Sequence, residues 1–399
     1  MTDRRRLVPR LGLLVMIAGL WTPSAHALEG DTFRPLVFAN YGHEDNIFRF
    51  QDGASPAAPF SRSDSYHQLG IGFDLDWKPG RQRVRANVKV NKTRFAKNYS
   101  LLDYDGQDIR LIWDWQLGNL WNGQLGHDRQ RTLGSYLGLT TSGLVVPVNN
   151  VRTEDNTYFN ANYRFHSRWQ AGLSLRQYSA DYSAAAQALS NVETDTVVMG
   201  LYYTGRAVQR IGVEARLVDG KYPARTVGSG LATAFDERFL GGVADWVVTG
   251  KSRVRARLGY VSRDNHNIAG HDHSGLEWRV DGDWTPTGKT LINGVLNREI
   301  NHTDVTGASH ELVSGLEVNA VWLVKPKTRL GAGVSYRNVE YDGSNRTDDI
   351  YSVNVNAGYE IWRGGNLTAQ IRREKRNSTL NTVDNTHSTS LFIGASLLF

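Results

Sequence analysis

Basic side chains recur at every second position in two stretches of the sequence. The first stretch carries Arg83, Arg85 and Lys89, and the second carries Arg253, Arg255 and Arg257. Residues two apart on a strand share a face, so each stretch predicts a row of cations. If those faces line a water-filled pore, the rows raise the local concentration of anionic solutes. Further pore-lining candidates on similar polar faces are Asp114, Asp281, Asp283 and Arg372.

The same charged residues also fit a purely structural role. Acidic residues occupy comparable polar faces of neighbouring segments, at Asp74, Asp76, Asp114, Asp281 and Asp283. Ion pairs between adjacent strands would neutralise the basic rows. A preference for anionic solutes or polymers is therefore a hypothesis, with ion pairing as its alternative.

Other residue patterns that could do chemistry are weaker. His271-Asp272-His273 has metal-binding side chains, but it lies in a polar stretch without a second group of ligands, which favours a solvated loop. The sequence has no Gly-x-Ser-x-Gly elbow of the kind that positions a hydrolase serine. We therefore expect no catalytic residue, no metal and no cofactor, and we expect that the protein is not an enzyme.

The basic rows lie in segments where apolar and polar residues alternate strictly, and β-strands in these segments would position the rows. Between residues 67 and 77, Leu69, Ile71 and Phe73 alternate with Gln68, Gly70 and Gly72. The same period of two recurs over residues 84–90, 109–117, 197–203, 254–260, 276–284 and 351–361. This period is typical of β-strands that have one apolar face and one polar face.

Short turns and long polar stretches alternate between these strands. Short turns, such as 78–81 and 285–288, recur every 37 to 48 residues or so, which fits two strands of about 10–14 residues plus one loop. The pattern predicts an all-β fold: a transmembrane antiparallel β-barrel of about 18 strands, with 16 as the alternative. In such a barrel the short turns are periplasmic and the longer loops are extracellular.

A soluble antiparallel sandwich would also alternate, but tryptophan placement favours the barrel. Most of the tryptophans lie within a few residues of the short turns: Trp77, Trp115, Trp121, Trp169, Trp246, Trp284, Trp322 and Trp362. An aromatic girdle at one membrane interface has this distribution. A sandwich of about 18 strands would need two or three domains, yet no linker interrupts the pattern.

Composition excludes several other classes of protein. The chain has 399 residues, 40 glycines, no cysteine, and 46 Lys plus Arg against 40 Asp plus Glu. The mean hydropathy of −0.43 argues against a helical membrane protein, and the absence of cysteine excludes disulfides and thiolate metal sites. The basic head, the apolar run of residues 11–21 and the small residues at 25–27 predict a cleaved signal peptide over residues 1–27. The mature part, residues 28–399, is expected to form a single barrel domain.

Removing that signal changes the charge balance. It takes away Arg4, Arg5, Arg6 and Arg10 together with Asp3, so 46 − 4 = 42 basic residues face 40 − 1 = 39 acidic ones. A surplus of three charges over a chain of this length gives no support to nucleic-acid binding. The last residues alternate up to Phe399, as in the terminal strand that the bacterial outer-membrane assembly machinery recognises. We therefore expect localisation in the bacterial outer membrane.

A short segment near the start of the mature chain resembles a known family. Asp45, Asn46, Phe48 and Arg49 lie in the segment Phe38-Ala39-Asn40-Tyr41-Gly42-His43-Glu44-Asp45-Asn46-Ile47-Phe48-Arg49, which resembles the opening strand and motif of EpsL-type barrel porins. Those porins belong to exopolysaccharide biosynthesis operons of Gram-negative bacteria. The resemblance implies passage of a secreted polysaccharide through the outer membrane, beside periplasmic and inner-membrane export components.

The main functional hypothesis is therefore passive export of an exopolysaccharide through a polar lumen. An uptake porin for small sugars or anions is the alternative, because it needs the same wall chemistry. An outer-membrane enzyme that acts on lipid or glycan is the second alternative. The expected partners are outer-membrane lipid, a saccharide and the assembly machinery acting on Phe399, with no nucleic acid among them. A loop folded into the lumen, such as residues 133–155, would plug the channel.

Overall fold

A computed structural model of the chain describes residues 32–52, 60–134, 140–141, 144–145, 148–205, 209–303, 305, 308–379 and 385–399. The predicted signal peptide lies outside these residues. No helix in the described part of the chain is long and apolar enough to cross a membrane.

Eighteen strands form one continuous antiparallel sheet. Their bounds are β1 Phe33–Glu44, β2 Asp64–Trp77, β3 Arg83–Phe95, β4 Tyr104–Leu117, β5 Trp121–Leu133, β6 Val151–Tyr163, β7 Trp169–Tyr182, β8 Val192–Thr204, β9 Gln209–Lys221, β10 Ala234–Thr249, β11 Ser252–Asn265, β12 His273–Thr287, β13 Thr290–Asn301, β14 Glu311–Lys325, β15 Thr328–Tyr341, β16 Thr347–Trp362, β17 Gly365–Ser378 and β18 Thr386–Leu398. The prediction of about 18 strands is confirmed, and the alternative of 16 is wrong.

The first and last strands pair with each other and close the barrel. β1 runs antiparallel to β18, with Leu36 opposite Leu398 and Glu44 opposite Ser390. Closure leaves no strand edge exposed, which a bilayer requires because unpaired backbone groups cannot find water there. The chain is thus a transmembrane antiparallel β-barrel, as the alternation predicts.

The two faces of the wall differ as the alternation predicts. Large apolar side chains such as Leu69, Ile71 and Leu276 are exposed on the outer face. On the other face, Arg216 of β9 contacts Glu277 of β12, three strands away. Contacts that skip strands form across a concave surface, so this polar face is the lumen.

Tryptophans gather at the short-turn end of the barrel, where an interfacial girdle is expected. The side chains of Trp77, Trp246, Trp284, Trp322 and Trp362 are all exposed there. Trp115 differs from this prediction because it is buried, stacked on Phe159 at 5.8 Å and lying over Gly123. The backbones of Gly80 and Gly118 adopt positive φ values of 60° and 57°, which tightens two of the short turns.

The opposite end of the barrel carries the long connections. They contain a helical turn at Tyr99–Leu102, a 3₁₀ helix at Ala185–Ser190, and a small hairpin that pairs Thr140–Thr141 with Leu144–Val145. The first connection packs an apolar cluster inside the mouth, made of Ile47, Phe48, Phe50, Phe95, Leu102 and Leu133. The long connections therefore fold over and into this end of the barrel.

Candidate functional site

The first predicted basic row is neutralised by acidic neighbours. Arg83 donates two hydrogen bonds of 2.7 Å to the carboxylate of Asp76, and Arg85 lies 2.7 Å from Asp114. Lys89 is on the same face, opposite Asp108 on β4, and forms no ion pair among the described residues. The pairing alternative therefore describes Arg83 and Arg85, and Lys89 remains unpaired.

The second row is neutralised in the same way. Arg253 donates from Nε to Asp245 at 2.7 Å, and Arg255 lies 2.9 Å from Asp283. Arg257 bridges Glu277 at 3.0 Å and Glu299 at 2.7 Å. Sequence reasoning missed these last two carboxylates, because Glu277 is diagonal to Arg257 in the β11–β12 register and Glu299 lies one strand further away, on β13.

The remaining pore-lining candidates follow the same rule. Arg372 lies 2.7 Å from Glu374, and Asp281 accepts two bonds of 2.9 Å from Arg279. The lumen groups without an ion pair in the described part of the chain include both cations and carboxylates, among them Lys89, Arg210, Arg337, Asp108, Glu214 and Glu317. The wall therefore presents fixed ion pairs and a mixture of free charges, not a cationic stripe. Conduction along these residues remains a prediction.

The motif residues Asp45 and Asn46 join the first loop to the last strand. Thr389 donates its backbone N–H to the Asp45 carboxylate at 2.7 Å, and Asp45 donates its N–H to the Thr389 carbonyl at 3.1 Å. The Asn46 amide donates to the carbonyls of Phe50 at 2.8 Å and His387 at 3.0 Å. These bonds continue the pairing with β18 beyond the end of β1, and they hold together the seam, the junction where the first and last strands close the barrel.

Arg49 and Phe48 complete this arrangement inside the mouth. The Arg49 guanidinium pairs with the buried carboxylate of Glu44 and donates to the Asn46 carbonyl at 2.5 Å. Its backbone is left-handed, with φ of 58°, so the loop turns back sharply at this residue. Phe48 is fully buried in the apolar cluster. The motif therefore has a structural role in this barrel.

A different loop reaches across the mouth. We name the described residues 302, 303, 305 and 308–310, between β13 and β14, the crossing loop. His302 lies 3.2 Å from Arg152 of β6, and its ring contacts the ring of Tyr178 of β7 in a tilted arrangement, with 5.5 Å between the centroids. β6 and β13 are seven strands apart in a ring of 18, so these are nearly opposite walls. His302 therefore extends across the opening and narrows the mouth there.

Further contacts hold the far end of the crossing loop. Arg225, in the connection after β9, donates to the Ala308 carbonyl at 3.1 Å and to the Leu189 carbonyl at 2.7 Å. Tyr222 donates its hydroxyl to the Ser309 carbonyl, which Arg263 also reaches at 3.3 Å. Burial lowers the pKa of Arg225 from its usual value. Thr303, Ala308, Ser309 and His310 are all buried, so the crossing loop is part of the folded mouth.

Residues 135–139, 142–143 and 146–147 of the predicted plug lie outside the described residues, so the plug stays a prediction. The described part of that stretch and the metal candidates make the following contacts. Val148, in the described part of the 133–155 stretch, packs against the apolar cluster, and Asn149 donates to the Leu101 carbonyl at 2.9 Å. His271 contacts Asp342 at 3.0 Å, and His310 lies 3.6 Å from the same carboxylate. Within the described ranges no group of three or more His, Asp or Glu side chains is arranged to hold a metal ion.

His310 makes the mouth sensitive to acid. Burial, then the nearby Arg263, His273 and His271, lowers the pKa of His310 from 6.5 to about 3. As the pH falls, the His310 side chain binds a proton in the unfolded chain near pH 6.5 but in the folded chain only near pH 3. Protonation therefore favours the unfolded chain, and the free energy of unfolding decreases as the pH falls from about 6.5 towards 3. Between pH 7 and pH 4.5 we expect this group to cost about 2–3 kcal/mol of unfolding free energy.

Urea unfolding of the refolded barrel at both pH values measures this loss. The His310→Gln variant should not show this loss of unfolding free energy between pH 7 and pH 4.5. The His127→Gln variant, whose substitution is on the outer wall, should still show it. An equal loss in wild type and His310→Gln would show that other groups cause the acid sensitivity.

Comparison with known proteins supports the barrel assignment. Residues 238–398 match a protein-family model described as "Putative beta-barrel porin 2". This match covers β11 to β18 and part of β10, which is less than half of the chain. No curated protein matches the sequence.

Solved porin structures are similar in overall form. They include the outer membrane protein OpdK from Pseudomonas aeruginosa, with 11% identity and a TM-score of 0.47 over 92% of this chain and 99% of that one. OccAB3 from Acinetobacter baumannii has 9% identity and a TM-score of 0.48 over 92% and 100%. A BenF-like porin from Pseudomonas fluorescens Pf-5 has 9% identity and a TM-score of 0.49 over 93% and 99%. Likenesses this distant carry no information about the transported solute.

Proposed function

We propose that the protein is a passive outer-membrane channel for small polar solutes, such as sugars with little or no net charge. The observation that carries this proposal is that the crossing loop narrows the mouth of a barrel whose lumen face carries many ion pairs. Solutes move down their gradient and exchange hydrogen bonds with the wall. The porin family match over the C-terminal strands supports a channel in preference to an enzyme.

The crossing loop supports a small solute. It joins nearly opposite walls through His302 and Arg152, and Arg225 and Tyr222 hold its other end. A channel whose mouth is divided in this way admits compact molecules more readily than a hydrated polymer. This argument favours the uptake-type alternative over polysaccharide export.

The ion pairs support weak charge selection. Each arginine of the two basic rows has a carboxylate within hydrogen-bonding distance, which cancels most of its field. Lys89 and Arg210, which form no ion pair among the described residues, are offset by Asp108 and Glu317, which form none there either. Polar groups of both signs offer many weak contacts and no deep well, as conduction requires.

The test measures size and charge selection in vesicles containing the refolded full chain. Swelling rates should be high for glucose and maltose and negligible for dextran. The double variant Tyr222→Phe/Arg225→Gln, which removes the Arg225 donor to the Ala308 carbonyl and the Tyr222 donor to the Ser309 carbonyl, should admit larger oligosaccharides and raise single-channel conductance by about two-fold or more. Arg238→Gln, an exposed arginine on the outer face of β10, is the matched control.

Three outcomes would contradict the proposal or its argument. Dextran entry at the rate of maltose would favour the export hypothesis and the EpsL-type relation. A silent wild-type channel together with turnover of lipid or glycan would favour the enzyme hypothesis. Unchanged size selection in the double variant, with wild-type gel migration, would show that the crossing loop does not set the limit.

A further inference from the structure

The outer wall near the long loops carries a basic surface on one side of the barrel. We name Lys92, Arg94, Arg373 and Lys375 the basic belt; His43 and His67 lie between them. Around the barrel the strands follow in the order β17, β18, β1, β2 and β3. All six side chains are on the outer face of these strands, and β18 contributes none of them. Lys92, Arg373 and Lys375 are exposed.

The basic belt lies directly beyond the lipid-facing apolar band. Arg373 follows exposed Ile371 on the same face of β17, and Lys92 follows exposed Val90 on β3. Lys92 is also directly opposite the exposed Leu69 of β2 in the strand register. The charged groups are therefore at the height where acyl chains end and lipid headgroups begin.

Most of the belt is free to bind an anion. Arg94 is paired with Asp105 at 3.0 Å and Asp103 at 3.7 Å. Lys92, Arg373 and Lys375 form no ion pair in the described part of the chain. Exposed cations that no carboxylate neutralises are suited to phosphate groups.

The other side of the barrel has the opposite charge. At the corresponding ends of β6 to β9, the outer face carries Asp155, Asp181, Glu193, Asp195 and Asp219. Arg129 and Lys221 on that side are already paired, with Asp155 at 3.2 Å and Glu193 at 2.9 Å. An anionic headgroup is thus attracted to one side of the wall and repelled from the other.

We infer that the basic belt docks a phosphorylated glycolipid of the outer leaflet, with its phosphates on Lys92, Arg373 and Lys375. The long loops of such barrels are extracellular, so this end of the wall meets the outer leaflet. Acyl chains then lie on Ile371, Val90 and Leu69 below. This inference is independent of the solute that the channel carries.

The test uses the refolded full chain in detergent and bis-phosphorylated lipid A as the probe, with binding followed by native mass spectrometry. The triple variant Lys92→Gln/Arg373→Gln/Lys375→Gln should bind at least about 10-fold more weakly than wild type. The matched control Arg129→Gln/Arg131→Gln/Lys221→Gln, on the acidic side, should bind like wild type. Heat-modifiable gel migration confirms that each variant is folded, and the three single variants should each show part of the loss.

Two comparison ligands show which part of the glycolipid the basic belt binds. Lipid A without phosphates should bind far more weakly, and millimolar inorganic phosphate should not displace the lipid. Equal binding of phosphate-free lipid A would show that acyl contacts alone hold the lipid. Displacement by inorganic phosphate would identify a free anion site. Unchanged affinity in the triple variant, or an equal loss in the control, would overturn the assignment.

Discussion

Replacing Asp348 with Asn should lower the free energy of unfolding by about 3–5 kcal/mol. Asp348 is on the lumen face of β16 and has 0% of its surface exposed. Its carboxylate pairs with Arg346 at 3.0 Å and with Arg376, and accepts a 2.9 Å hydrogen bond from Tyr341. Removing its charge leaves two buried guanidinium groups without a counter-ion, which costs far more than a surface pair.

Asp349→Asn is the matched control for this prediction. Asp349 is the next residue on the same strand and points to the outer face, where Tyr336 donates to it at 2.8 Å and Asn338 at 2.9 Å. An amide oxygen can still accept those bonds, so the change should cost less than about 1 kcal/mol. Urea unfolding of the refolded barrel, followed by tryptophan fluorescence, measures both. Equal losses would mean that the buried pairing does not stabilise the mouth.

Leu258→Arg should destabilise the barrel by about 2–4 kcal/mol. Leu258 is in the middle of β11, on the outer face, with 57% of its surface exposed to the space that lipid fills. An arginine at this depth loses its hydration, and lipid offers no partner for its five donors. The neighbouring residues Arg257 and Gly259 face the lumen, so the same charge one position away is tolerated.

Val254→Arg on the same face tests whether depth is the cause. Val254 lies two residues after the start of β11, beside the short turn at 250–251, where the long side chain can reach the interface. The cost there should be about 0–1 kcal/mol. Folding into lipid vesicles followed by urea titration gives both values. A Leu258→Arg variant with wild-type stability would mean that the outer and inner faces have been exchanged.

Local patterning accounts for most of what the sequence predicts correctly. Leu69, Ile71 and Leu258 face outwards because side chains alternate along any strand, and a bilayer accepts only apolar side chains on its side. Short turns at 78–81 and 118–119 divide this pattern into strands of barrel-spanning length. These are properties of neighbouring residues, so the approximate strand number and the direction of each face are predictable without a structure.

The alternation of residues predicts which face a charged side chain is on, but it does not predict the partner of that charge. The sequence places Arg83, Arg85, Arg253, Arg255 and Arg257 on one face each, and the structure agrees. Whether those cations attract solutes depends on the acids opposite them. For Arg257 the partners come from β12 and β13, and for Arg216 from three strands away. Register and curvature decide such pairs, and neither is visible in a single strand.

The motif near the start of the mature chain gives a similar contrast. Asp45 and Asn46 stand out by their residue types, and a role in capping a strand or tying down a loop is predictable from them. Their partners Thr389 and His387 lie more than 340 residues later. Only closure of β1 on β18 brings the two ends of the chain together, so the seam lock is a product of the barrel.

The sequence alone determines an all-β barrel of about 18 strands, its apolar outside and its polar inside, because alternation and turn chemistry act between residues close in the chain. The exact count of 18 comes from the structure. Tertiary structure alone decides which charges cancel, that the crossing loop narrows the mouth, and that cations outside gather on one side of the seam. Each of these depends on strand register, curvature or closure, and none of the three can be seen in a single strand.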